Sequence, residues 1–171
     1  DGVTYTFPVG GATMVVGDAT DISATFTGAC AYSSFTDYTP DDCGTGNSLG
    51  VGGKGVTATL GYAFDSGFSL AGGVSSTPSE ILGDDADVFG MEAAYNADSY
   101  GVAVAYVTDD GGSSADTTYW GVNGYYTFDI ASISVGLESS DDGTEKSGYF
   151  VGLSFPAVSY THLRAHETNS N

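Results

Sequence analysis

Positive charge is scarce in this sequence: 3 Lys+Arg stand against 22 Asp+Glu, a formal net charge of -19. Such a balance excludes nucleic acid as a partner, because a polyanion is repelled and no counterions are released on binding. It equally excludes direct attraction to anionic lipid headgroups. Small cations or cationic solutes are what the field concentrates, with general solubility or adaptation to salt as the plain alternative. Long apolar runs are missing too. No stretch approaches the roughly 18–20 consecutive apolar residues of a membrane-spanning helix. Histidine does not occur before His162, which removes the commonest general base and metal ligand from the body of the chain. The serines therefore have no base beside them, and no nucleophilic triad can be assembled. Glu92 and Glu138 could form an acid/base pair only at a catalytic separation that the sequence does not impose. The stretch around Lys54 resembles a phosphate loop but lacks its Ser/Thr. The clusters Asp84-Asp85-Asp87 and Asp109-Asp110 lack the spacing and terminal Glu of a calcium loop. No enzyme activity, cofactor or metal centre is expected.

Cysteine is nearly absent. The 2 cysteines, Cys30 and Cys43, fall in one polar segment, GACAYSSFTDYTPDDCG. An even count in such a loop reads as a disulfide made in an oxidising compartment such as the periplasm. A bridge closing so short a loop stabilises it by about 3 kcal/mol. The alternative, a metal site, lacks partners, since there is no CxxC and no nearby histidine. The chain opens at Asp1 directly on a strand-like segment with no leader sequence. The expectation is that the true start of the gene product is missing or processed away.

What the sequence does have is alternation. Its 26 Gly, 12 Tyr and 9 Phe, with 41% hydrophobic residues, favour short strands and tight turns over charge-driven disorder. Nine segments of this kind are predicted: Val3–Val9, Ala12–Ala19, Gly55–Phe64, Phe68–Ser75, Asp87–Tyr95, Tyr100–Thr108, Thr117–Phe128, Ala131–Ser139 and Gly148–Phe155. In the third, Val56, Ala58, Leu60, Tyr62 and Phe64 alternate with Thr57, Thr59, Gly61 and Ala63. In the sixth, Tyr100, Val102, Val104 and Tyr106 alternate with Gly101, Ala103 and Ala105. Period two means strands with one apolar face and one small or polar face.

The connections alternate as well. Tight turns are expected at Gly10-Gly11, Asp65-Ser66-Gly67, Asn96 to Ser99 and Asp129-Ile130. Long acidic connections are expected at Thr20 to Lys54, Ser76 to Ala86, Asp109 to Asp116 and Ser140 to Ser147. Aromatics gather beside the tight turns: Phe7, Tyr62, Phe64, Phe68, Tyr95, Tyr100, Tyr126 and Phe128. Loop lengths segregated by end, aromatic girdles and a single apolar face together fit a lipid-facing wall around a wet lumen. The fold predicted is therefore all-β: an antiparallel up-and-down transmembrane β-barrel, present in part as about nine strands, or an open curved sheet. An odd strand number departs from the even counts of single-chain bacterial barrels and implies a piece of a larger one. The competing reading is a soluble acidic β-rich surface or adhesive module, its apolar faces buried in a two-sheet sandwich.

The run TYTFPVGGATMVVGD, then ACAYSS and DDCG, then GVTATLGYAFDSGFSLAGGV, resembles the barrel domain of cyanobacterial outer-membrane porins. DADVFGMEAAYNADSYGVAVAYVTDD and SGYFVGLSF continue the likeness, which covers residues 1–156. In that family a surface-layer-homology domain precedes the barrel, and the members are described as iron-uptake or carbohydrate-selective porins. The resemblance implies a passive diffusion channel in the cell outer membrane for inorganic ions and small hydrophilic solutes, cation-preferring, in contact with outer-membrane lipid and homotrimeric at full length. Residues 157–171, with their YTHLRAHET wording, read as a non-native, adapter-derived tail. On the barrel reading Thr57, Thr59, Glu92, Asn123, Tyr125, Ser134 and Glu138 are pore-lining, with Glu92 and Glu138 tuning cation preference. The Cys30–Cys43 loop is then an external lid, a constriction or a protease-resistant cap.

Overall fold

The structure is a computed structural model that describes residues 2–18, 20–30, 55–77, 87–111 and 115–155. Its strands are β1 (Thr4–Val9), β2 (Ala12–Asp18), β3 (Val56–Ala63), β4 (Phe68–Ser76), β5 (Asp87–Asn96), β6 (Tyr100–Asp109), β7 (Thr117–Thr127), β8 (Ser132–Asp141) and β9 (Glu145–Ser154). Among the described residues they form one nine-stranded sheet in sequence order, every neighbouring pair antiparallel. The predicted strands and up-and-down order are all present. Among the described residues no helix is long and apolar enough to cross a membrane.

The barrel is not. Pairing runs in a line from β1 to β9, the two ends of that line are not joined, and the sheet is not strongly curled. An odd number of strands joined antiparallel leaves β1 and β9 pointing the same way. Closing them on each other would require a parallel seam in an otherwise antiparallel wall. The sheet therefore stays open, and it encloses no lumen. With it fall the transmembrane pore, its cell outer membrane location, and the outer-membrane lipid and homotrimer partnerships expected above. Loop asymmetry and aromatic rows misled because they describe the ends of any long meander and do not report closure.

One connection differs from expectation. Ser140 to Ser147 is not a long loop, because β8 and β9 extend into it and leave a tight hairpin. The signal was the Asp141-Asp142-Gly143 run. Asp141 Oδ1 accepts from the Gly143 N–H at 2.9 Å and Asp142 Oδ1 from the Thr144 N–H at 3.1 Å. Gly143 supplies the left-handed corner with φ 93°. Lys146 Nζ donates to Asp142 Oδ2 at 2.7 Å, and its ammonium holds the exposed Asp142 carboxyl below the usual range.

The two faces differ as the alternation required. Phe89 and Met91 on β5, Val102, Val104 and Tyr106 on β6, and Val135 and Leu137 on β8 all stand exposed on one side. Rings adjoin along its tight-turn end: Tyr62 and Phe64 at 4.6 Å, Phe68 and Tyr95 at 4.7 Å, Tyr95 and Tyr100 at 5.7 Å, Tyr126 and Phe128 at 4.7 Å. The Phe68–Tyr95 and Tyr95–Tyr100 pairs join neighbouring strands and add to sheet stability beyond their burial, whereas Tyr62–Phe64 and Tyr126–Phe128 are neighbours two residues apart along one chain segment. The other face holds the buried residues, among them Val88, Ala94, Ala103, Ala105 and Val107. There Phe150 lies over its cross-strand partner Gly136, where a Cβ would overlap the ring. Gly136→Ala is expected to destabilise the sheet by about 1–3 kcal/mol through overpacking, read as a lower urea midpoint with unchanged slope.

Candidate functional site

The polar face is covered by the chain itself. After β2, residues Thr20–Cys30 turn back across the sheet from β3 towards β7. Their own backbone makes two short turns, with the Ala24 N–H donating to the Asp21 carbonyl at 3.2 Å and the Phe26 N–H to the Ser23 carbonyl at 2.8 Å. At its start Thr20 is tied twice: its carbonyl accepts from Thr57 Oγ1 at 2.7 Å, and its hydroxyl meets that of Thr4 at 2.6 Å. Thr57 Oγ1 also lies 2.9 Å from Ser75 Oγ, so this end is a small hydroxyl network.

Ile22 is the apolar anchor. It is fully buried, in a cluster with Val88 and Val107 against which Phe26 and Tyr119 pack. Gly73 and Gly90 make the notch beneath it. A Cβ on Gly90 would come within 2.6 Å of Ile22 Cδ1, and one on Gly73 within 2.7 Å of the Ile22 carbonyl oxygen. Further on, Ala29 packs on Ala94 and Ala103, with Tyr125 at the side. The sheet's small residues are thus the floor on which this strap lies.

Two strand side chains catch its backbone. Glu92 Oε1 accepts from the Thr27 N–H in a short hydrogen bond, and Asn123 Oδ1 accepts from the Ala29 N–H at 2.7 Å. Glu92 is 3% exposed, and its second oxygen, Oε2, is buried with no hydrogen-bond partner. Burial pushes the Glu92 carboxyl up to about 7, and the Thr27 N–H only partly opposes it. Between the strap and strands β1–β4 lies a recess of about 320 Å³ whose lining includes Thr6, Thr13, Phe26, Gly61 and Ser69.

The residues singled out as pore-lining do share this face. Thr57, Thr59, Glu92, Asn123, Ser134 and Glu138 are buried on it, and Tyr125 is half-buried, its hydroxyl donating to the Ala97 carbonyl at 2.7 Å. They do not line a lumen. Thr57, Glu92 and Asn123 hold the strap instead. Glu92 and Glu138 stand in one cross-strand row through Ala105 and Gly121, three strands apart. At about 4.8 Å per strand that is about 14 Å, too far for a pair of catalytic carboxylates. Cys30 is disulfide-bonded. Cys43, most of the loop they were read to close, Lys54, the Asp84-Asp85 cluster and residues 156–171 lie outside the described residues. Among the described residues no group of three His, Cys, Asp or Glu could hold a metal ion.

Sequence reasoning did not find Ile22, Thr27 or Ala29. The available signal was the pair Ile22 and Phe26, the two large apolar side chains of the otherwise small and polar stretch Thr20–Cys30. Compared with known proteins, the chain matches no protein-family model and no curated protein. The resemblance to the porin family stands on the quoted residues alone. Ile22→Ala is expected to weaken seating of the strap by about 2–5 kcal/mol, by cavity formation at a closed site. The measurement is amide exchange of residues 20–30, which should accelerate while exchange in β5–β8 is retained.

Proposed function

We propose that this chain is an acidic β-rich surface or adhesive module, and that it works by association with a second copy of itself rather than by chemistry. The observation that carries this reading is the bare apolar face. Nine strands about 4.8 Å apart, with eight or so residues of about 3.4 Å each, present a face on the order of 1,000 Å². Monomeric proteins rarely leave more than about 300–600 Å² of contiguous apolar surface open, and a stable interface takes about 800 Å² from each partner. A sheet with one apolar side must bury it on another layer, and the chain's own strap covers only the opposite side. A second sheet of the same kind, packed face to face, completes the two-layer sandwich.

Charge selects how the two copies would meet. Asp18, Asp87, Asp109, Asp110, Asp116, Asp141, Asp142 and Glu145 gather at the end of the sheet where β8 turns into β9. Only Asp65, Asp98 and Asp129 mark the opposite end among the described residues. Two sheets stacked with these ends together would bring like charges into register. Rotation about an axis across the strands sends them to opposite ends, leaving Val104, Val122 and Leu137 as the centre of a self-complementary contact.

Sedimentation of the oxidised chain in aqueous buffer tests this. A dimer at micromolar concentration is expected, reduced to monomer by Val104→Asp with Leu137→Asp, two exposed positions whose change leaves the strap intact. A chain that stays monomeric in buffer, or that disperses only with detergent or lipid vesicles, overturns it.

A further inference from the structure

The strap and its carboxylate anchor form a device that the association reading does not use and on which it does not depend. One oxygen of Glu92 holds the Thr27 N–H, while the other is sealed beneath the strap without a partner. A neutral carboxyl tolerates that position at the cost of one unmade hydrogen bond. An ionised one leaves charge in a dry site with a single donor to stabilise it. The surroundings offer no relief. Around Glu92 stand Gly90 and Ala94 on its own strand, Ala71 on β4 and Ala105 on β6. Among the described residues the charged or titratable groups on this face or on the strap are Asp21, Asp109, Tyr119, Tyr125, Glu138 and Lys146. The one cation, Lys146, stands on β9, four strands from Glu92, and is paired with Asp142. The one way to hydrate the carboxylate is to lift the segment that covers it.

We propose that Thr20–Cys30 is a proton-controlled latch, seated on the sheet while Glu92 carries a proton and lifted from it when the Glu92 carboxylate ionises. The ties at its two ends set where it opens. Thr57 secures the Thr20 end through a bond no proton change disturbs, and the disulfide at Cys30 restrains the far end. The part free to move is the middle, from Ile22 to Ala29. Opening there uncovers Glu92, Asn123 and the recess beside Phe26.

The direction follows from linkage. Seated, the carboxyl titrates at about 7, and lifted into water it returns to its ordinary 4.5. The ratio of seated to lifted strap is therefore greatest below pH 4.5, falls about tenfold per pH unit between 4.5 and 7, and is level above 7. The difference of about 2.5 units corresponds to a total fall of about 300-fold.

Hydrogen exchange of the full oxidised chain, corrected for the intrinsic pH dependence of exchange, reads this out. Protection of the 20–30 amides is expected to fall on the order of 100-fold from pH 5 to pH 8, with protection in β5–β8 steady. Glu92→Gln, which keeps the acceptor for Thr27 and cannot ionise, should remove the fall. Glu138→Gln, a carboxylate on the same face away from the strap's ties, should leave it in place. Should Glu92→Gln not fold, the carboxyl stretching band at pH 6 replaces it: a protonated-carboxyl band absent from the wild-type chain, or present there and lost in Glu138→Gln, refutes the latch. Flat protection across the range, or a fall retained in Glu92→Gln or lost in Glu138→Gln, likewise overturns the assignment.

Discussion

The two-residue period of the strand is the constraint from which the rest of this structure follows. Nine successive strands place most of their large apolar side chains on one side and mainly small or polar ones on the other, where Val88, Val107 and Phe150 are the large apolar exceptions. A single sheet cannot bury both sides with its own strands. The chain resolves this on one side only. It folds Thr20–Cys30 back over the polar face, where glycines and alanines leave room for backbone to approach backbone. The sheet's polar side chains then satisfy the amides of that strap, as a buried, irregular segment demands.

That solution inverts the usual placement. The buried side of the sheet is the polar one, held by Thr57, Glu92 and Asn123, and the exposed side is the apolar one. Each unpaired group in a buried polar layer costs stability, most of all one that can ionise, and Glu92 has one such oxygen. The apolar side has the opposite character. It needs no specific partner atoms, only another surface of comparable area and no repelling charge. One face is therefore suited to responding to conditions and the other to association, and the two properties are separable because they lie on opposite sides of one layer.

Much of the fold was legible in the residues. The strands, their antiparallel order and the assignment of each side chain to a face came from the alternation of such runs as Tyr100-Gly101-Val102-Ala103-Val104-Ala105-Tyr106. The turns at Gly10-Gly11 and Asp65-Ser66-Gly67 came from the residues that such turns require. The hairpin at Asp141-Asp142-Gly143 differs from the long acidic loop that its composition suggests, because these acidic side chains cap their own backbone. The shared side of Thr57, Glu92, Asn123 and Glu138 was read correctly, but the object facing them was not. Water in a lumen and a strap of the same chain make the same demand on a side chain, that it be small or polar.

Local sequence thus determined the strands, their turns and the sidedness of the sheet, because each depends on neighbours two to four residues apart. Tertiary structure alone decided whether the sheet closes and what covers each face. Closure depends on the relation between β1 and β9, residues more than a hundred positions apart that never meet here. The seating of Ile22 over Gly73 and Gly90, and of the Thr27 amide on Glu92, depends on a segment crossing strands that lie far along the chain. No local period encodes such contacts. Only the assembled sheet brings their surfaces together.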